Sequence, residues 1–203
     1  MSIHLARRIV IATTNVHKLN EIINIMNHPP WQILSLRDFP DIPHIEETGS
    51  TFQENALLKA RTVFRHTSLL TLADDSGLEV HALDGAPGVY SSRFAGVERD
   101  YAANNRKLLE SLRDVPVQKR GAQFRCVVAI VGPHIERIVE GVVRGHITEE
   151  LRGSGGFGYD PLFIPEGYHQ TYAELGEEIK NRISHRAIAF TKARKIVEDL
   201  FNQ

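Results

Sequence analysis

Two adjacent aspartates behind an apolar run constrain this chain more than any other stretch. Leu70–Ala73 read as the end of a short buried strand, and Asp74, Asp75, Ser76 and Gly77 follow at once. A strand cannot bury paired acids cheaply, so both carboxylates are expected at its tip, within reach of water, a metal or a ligand. Neighbouring side chains on a strand point to opposite faces, so only one of the two is expected to aim into a pocket. The plainer alternative is an acidic turn built from Asp75-Ser76-Gly77. What other segments bring to that tip decides between them.

A chain of 203 residues has ample length for a buried core, as one large domain or two small lobes. We read a single domain over residues 1–203, with lobe boundaries near Val80 and Gly153. Hydrophobic residues make up 42% and charged residues 24%, as in ordinary water-soluble domains. A net charge of −1 and the lack of a basic stripe argue against nucleic-acid or membrane-surface binding. No apolar run is long enough to span a membrane, and the start carries no secretory pattern, so a cytoplasmic location is expected. The single cysteine, Cys126, lies in an apolar run and reads as a core residue of a reducing compartment. The 10 histidines are scattered, without the neighbours a zinc site requires.

Arg8–Ala12 is a β-branched run, read as a strand, and Thr13-Thr14-Asn15-Val16-His17-Lys18 breaks it. Leu19, Ile22, Ile23 and Met26 then follow helical spacing until Pro29-Pro30. Strand, polar loop and helix form an anion-binding arrangement, with backbone N–H groups and the positive helix end facing a phosphate. The same pattern is also that of a plain capped helix. Trp31–Leu36 reads as a second strand. Glu47–Thr51 supply turn and N-cap residues for a second helix from about Phe52, with Phe52, Ala56, Ala60 and Val63-Phe64 on one face and Lys59 turned elsewhere. Glu46 sits just before it.

After Gly77, Leu78–Leu83 alternates like a separate strand, and Val89–Phe94 reads as a brief extended piece. Asp100–Leu112 is an amphipathic helix, and Ala122–Val131 with Arg137–Arg144 is an antiparallel hairpin across Gly132-Pro133. Gly153–Gly158 matches G-x-G-x-x-G, but no strand precedes it and Asp160-Pro161 opposes a helix after it. It therefore reads as a glycine loop presenting Phe157, Tyr159 and Asp160, with aromatics that can stack on a flat ring. Pro161–Pro165 is short and extended. Ser184 caps the last helix, and His185 and Arg186 fall in its first turn, where the helix dipole disfavours cations. That placement points to a bound anion or an electron-rich ligand. Carboxylates at Glu46 and Asp75 suit Mg2+, aromatic faces with donors suit a nucleobase, and a nucleoside triphosphate is the simplest ligand common to both.

Six blocks in order resemble the inosine/xanthosine triphosphate pyrophosphatases. They are Ala12-Thr-Thr-Asn-Val-His-Lys-Leu, Glu46-Glu-Thr-Gly with Thr51-Phe-Gln-Glu-Asn-Ala, Ala73-Asp-Asp-Ser-Gly-Leu, Gly85-Ala-Pro-Gly-Val-Tyr-Ser-Ser-Arg-Phe-Ala-Gly, Gly155-Gly-Phe-Gly-Tyr-Asp-Pro, and Lys180 with Ser184-His-Arg. The resemblance runs from about Ile9 to Phe190. It implies an α/β fold: a long mixed sheet flanked by helices, two lobes and a central substrate cleft. It also implies Mg2+-dependent hydrolysis of ITP, dITP and XTP to the monophosphate and pyrophosphate, by a homodimer.

Carried over by position, Thr13, Thr14, Asn15, Val16, His17 and Lys18 hold phosphates, and Glu46 and Asp75 serve the metal. Asp75 is the general base and Ser76 touches substrate. Phe157, Gly158, Tyr159, Asp160, Lys180, His185 and Arg186 form the nucleoside pocket. Three positions depart from the usual pattern: Thr14 and His17 stand where relatives often have glycine, and Ile179 where an acid is usual. A general nucleotide pyrophosphatase or nucleotidyltransferase would use the same groups. A nucleotide-binding module would use them without turnover, a reading that the intact Glu46, Asp75 and Lys18 oppose.

Overall fold

Short β-branched runs bracket the first helix. Arg7–Ile11 forms β1 and Trp31–Ser35 forms β2, paired in parallel from Arg7↔Trp31 to Ile11↔Ser35. Parallel neighbours need a crossover, and Val16–Met26, α1, lies between them in the chain. The structure, a computed structural model, describes residues 7–26 and 31–202. Pro29-Pro30, expected to end the first helix, and the opening residues 1–6 lie outside the described residues.

Phe52–Thr67 forms α2, opened by a capping box in which Thr51 accepts from the Glu54 N–H and Glu54 reaches back to the Thr51 N–H. Leu70–Val80 forms β3, parallel to β1 from Ile9↔Leu70 to Ile11↔Leu72. The expected break at Gly77 is absent: the acids lie within the strand and Leu78–Val80 continues it. The carboxylates find partners inside the fold, so the strand need not end to reach water. Residues 81–83 then form a turn of 3-10 helix. Gly88–Arg93, expected to be extended, is also 3-10 helical. The Ser91 hydroxyl closes that turn by donating to the Gly88 carbonyl while accepting the Leu78 N–H.

Asp100 caps α3, Tyr101–Ser111. β4, Gly121–Gly132, and β5, Ile135–Ile147, are neighbours in the sheet, and a two-residue link makes them the expected antiparallel hairpin. Phe163–Pro165 forms β6, antiparallel to β5. Tyr172–Ile183 forms α4, and His185–Phe201 forms α5, whose first turn the Ser184 hydroxyl caps at the Ala187 N–H. The strand order is β2-β1-β3-β4-β5-β6, a mixed sheet with helices: the expected α/β class.

The chain divides into two compact units, residues 1–75, 127–140 and 189–203, and residues 76–126 and 141–188. Buried residues of the first include Ile9, Ile11, Ile22, Met26, Ala60, Leu72, Phe190 and Val197. The second is built on Leu78, Val80, Leu108, Leu112, Phe124, Leu162, Phe163 and Tyr172. Phe124 meets Phe163 edge-on, with ring centroids 4.8 Å apart. In this unit the buried Arg120 guanidinium donates to three main-chain carbonyls, those of Leu112 at 2.8 Å, Val115 at 2.9 Å and Thr148 at 3.0 Å. Among the described residues no helix is long and apolar enough to cross a membrane.

Candidate active site

In the first unit the two aspartates of β3 draw in side chains from α1, α2 and the segment before α2. Both are buried, Asp74 2% and Asp75 5% exposed. Asp74 pairs with Lys18 Nζ at 3.1 Å, and Asp75 accepts from the Asn55 side-chain amide at 3.0 Å. Lys59, expected to face away, is buried and holds Glu47 at 2.5 Å. Burial pushes the Asp75 carboxyl above its ordinary value, even against the pull of Lys59 and Lys18. Burial also opposes ionisation of Glu47, but Lys59 and then Lys18 outweigh it and hold that carboxyl below its ordinary value. Lys59 is raised: burial disfavours its charge, and Asp75, Glu47 and Asp74 together more than restore it. Glu46, the predicted metal carboxylate, is exposed, and its neighbour Glu47 is the acid that belongs to this cluster.

Asn55 organises the approach. Its carbonyl oxygen accepts the Gly49 N–H at 2.7 Å while its amide holds Asp75. A side chain at Gly49 would meet that same oxygen at 2.7 Å, so the turn needs glycine for close approach.

The loop before α1 is more closed than its sequence indicates. The Asn15 side-chain oxygen accepts the N–H groups of His17 at 3.0 Å and Lys18 at 3.2 Å, and Thr13 Oγ1 accepts the Asn15 N–H. Asn15 thus caps the helix and takes up donors that an anion would otherwise use. Thr14, Val16 and His17 are exposed, whereas Thr13 and Lys18 are half-buried.

In the second unit four of the predicted nucleoside-pocket residues, Phe157, Asp160, Lys180 and Arg186, form one connected group. Asp160 is buried; it accepts from Lys180 Nζ at 2.5 Å and from the Phe157 N–H at 2.8 Å. Gly156, at φ 71°, adopts a left-handed turn, and a side chain there would run into the Asp160 carboxylate. Lys180 Nζ lies 4.4 Å from the centre of the Phe157 ring, with the Arg186 guanidinium carbon 5.8 Å from it. Arg186 also donates to the Ser76 hydroxyl at 2.9 Å. His185 stacks on Phe124, 4.7 Å between centroids at 8°. Tyr159 is buried, which pushes its phenol well above the ordinary value, and its hydroxyl donates to the Ser91 carbonyl. The two basic residues opening α5 therefore rest on aromatic rings and a hydroxyl within the fold.

The Ham1 family profile matches residues 9–196. This chain belongs to the Ham1 family. Its curated relatives include proteins named dITP/XTP pyrophosphatase. One from Desulforamulus reducens, named dITP/XTP pyrophosphatase, is 49% identical over 96% of this chain and 97% of its own. One from Geobacter sulfurreducens with the same name is 51% identical over 90% of this chain and 92% of its own. A solved HAM1 protein from Coxiella burnetii superposes with a TM-score of 0.86 at 41% identity, covering 95% of this chain and 98% of that one.

Among the described residues of this Ham1 chain, no group of three or more His, Cys, Asp or Glu side chains is arranged to hold a metal by itself. A small hard cation needs only one or two carboxylates when waters and substrate phosphates complete its shell. Asp75 and Glu47 fit that demand. Asp74, Asp75 and Glu47 share this cluster with Lys18 and Lys59, and burial is what holds Asp75 above its ordinary value. Sequence reasoning missed Glu47, Lys59 and Asn55. Lys59 offered a signal, since it lies three positions after Ala56 and four before Val63, both on the buried face of α2.

Proposed function

We propose that this Ham1 chain is a pyrophosphatase that hydrolyses dITP, ITP and XTP between the α and β phosphates, with Mg2+. The observation that carries the reading is the buried Asp75 carboxylate, held by Asn55 beside Asp74, in a cluster with Lys18, Lys59 and Glu47. The curated relatives named dITP/XTP pyrophosphatase support the substrate class. Mg2+, when bound, supplies charge neutralisation at the phosphate oxygens. Asp75 and Glu47 are the residues that would hold it.

The chain's own groups supply the rest. Asp75 takes a proton from the attacking water, a task suited to a carboxylate whose basicity burial has raised. Lys18, with the Thr13 and Thr14 hydroxyls, offsets negative charge on the triphosphate. Asp74 keeps Lys18 in place through their ion pair. Asn55 holds Asp75 in one orientation. On the base side Lys180 and Arg186 bring cationic donors against the Phe157 ring. A 6-carbonyl on the purine accepts from such donors, whereas the 6-amino group of adenine meets donor with donor. Ser76 is held by Arg186 next to the catalytic carboxylate in sequence. Association as a homodimer in the cytoplasm belongs to the same reading.

The test is pyrophosphate release from a panel of purine triphosphates, with and without Mg2+. Wild-type protein should turn over dITP and XTP more than about tenfold faster than ATP or GTP, and chelation should stop it. Asp75→Asn should lose turnover while still showing nucleotide-dependent thermal stabilisation. Equal rates on ATP, or wild-type turnover by Asp75→Asn, would overturn the reading.

A further inference from the structure

Asn105 is buried on α3, 6% exposed, among residues that face the second unit's core. Its amide nitrogen donates to the Gly158 carbonyl at 3.0 Å. Its amide oxygen is buried and has no hydrogen-bond partner among the described residues. A half-satisfied buried amide is a poor stabiliser, because the unpaired acceptor gives up water for nothing. A leucine would fill similar volume at lower cost, so the bond to Gly158 is what distinguishes asparagine at this position.

The next residue of the loop is held from another side. The Tyr159 hydroxyl donates to the Ser91 carbonyl at 3.0 Å. Ser91 is itself fixed through its hydroxyl, and Asn104 pins the same turn, accepting the Ala95 N–H at 2.7 Å and donating to the Ser92 carbonyl at 3.1 Å. Tyr101 of α3 packs against Phe157, 6.0 Å between ring centroids. Residues 157–159 are thus gripped by α3 and by the turn that α3 holds.

We propose that Asn105, together with the Tyr159 hydroxyl, is a positioning residue that sets the pose of the Phe157–Gly158 edge for the purine base. The proposal rests on the reading of Phe157–Asp160 as the base side of the site. Asn105 touches neither phosphate nor reacting atoms; it acts through the Gly158 carbonyl. Its removal should therefore affect base-dependent affinity and leave the phosphate chemistry alone.

The experiment compares Asn105→Leu, Tyr159→Phe and Phe157→Ala with wild type. It measures KM and kcat for dITP, the inhibition constant of inorganic tripolyphosphate, which has no base, and Tm. Asn105→Leu should raise KM about tenfold through loss of one buried hydrogen bond. Its kcat should stay within about twofold, with tripolyphosphate inhibition unchanged. Its Tm should be unchanged or higher, as expected when a residue kept for function is replaced by a better-packing one. Tyr159→Phe should raise KM in the same direction. Should Asn105→Leu fail to fold, Tyr159→Phe, which removes a single hydroxyl from the same grip, carries the KM and tripolyphosphate expectations alone. A wild-type KM in the Asn105 variant, with KM raised by Phe157→Ala, would overturn the proposal and leave the pocket reading standing. An unchanged KM in Phe157→Ala would overturn the pocket reading and the proposal with it. Joint loss of Tm, kcat and tripolyphosphate affinity in Asn105→Leu would mark a general structural role and overturn the proposal.

Discussion

Glu46 and Glu47 are one position apart and stand in opposite surroundings. Glu46 is exposed, while Glu47 is half-buried and bonded to Lys59, close enough to feel Lys18 and Asp74. If the metal is held by the acids of the buried cluster, the two glutamates separate cleanly. Glu47→Gln should lower kcat with Mg2+ at least tenfold, in line with loss of a charged group from a preorganised site. Glu46→Gln should remain near wild type in the same assay. The reverse pattern would return the metal to Glu46. Sequence reasoning chose Glu46 and passed over Glu47, because only the direction of each side chain separates the two. The same limit applied to Lys59, whose stem runs along a buried face while its ammonium reaches an acid.

At the scale of elements, the helices that sequence reasoning placed best are those whose ends carry side-chain caps. Thr51 and Glu54 form a reciprocal box at α2, and Glu54 also accepts from the Ser50 N–H and hydroxyl. Those bonds, Ser50's first, hold the Glu54 carboxyl below its ordinary value. Its folded value lies under its unfolded one, so its support is present above the unfolded value and fades as pH falls through the folded one. Thr51→Ala should cost about 1 kcal/mol at neutral pH. No Tm difference at pH 7 would contradict the capping role, whereas Glu54→Gln, which removes the ionised acceptor, should show a gap from wild type that narrows in acid. The same box, Thr171 with Glu174, opens α4, which the sequence analysis left without a helix. Its signal was present, but Gly176 at φ 79° interrupts the apolar rhythm that periodicity relies on. The long β3 was missed for another reason. Asp-Asp-Ser-Gly has the local chemistry of a turn, and the neighbouring strands of the sheet, with Lys18 and Asn55 on its carboxylates, are all far away in sequence.

Over the whole molecule, residues 9–196 match one family, and the mixed sheet and flanking helices were legible because each strand is a short apolar run between polar breaks. The division into two units was not legible at its boundaries, which fall inside β3, β4, β5 and α5 where no linker composition marks them. Cys126 sits in β4, fully buried. A thiol reagent should modify it only at the rate of global unfolding, and fast labelling of native protein would show that β4 opens locally. Arg120 carries a further consequence. Helices commonly end on a glycine that lets the chain turn back, but here the carbonyl of Leu112, the residue after α3, accepts from a guanidinium that arrives from just before β4. One side chain thereby ties the end of α3, the stretch that follows it and Thr148 beyond β5 to a single planar group.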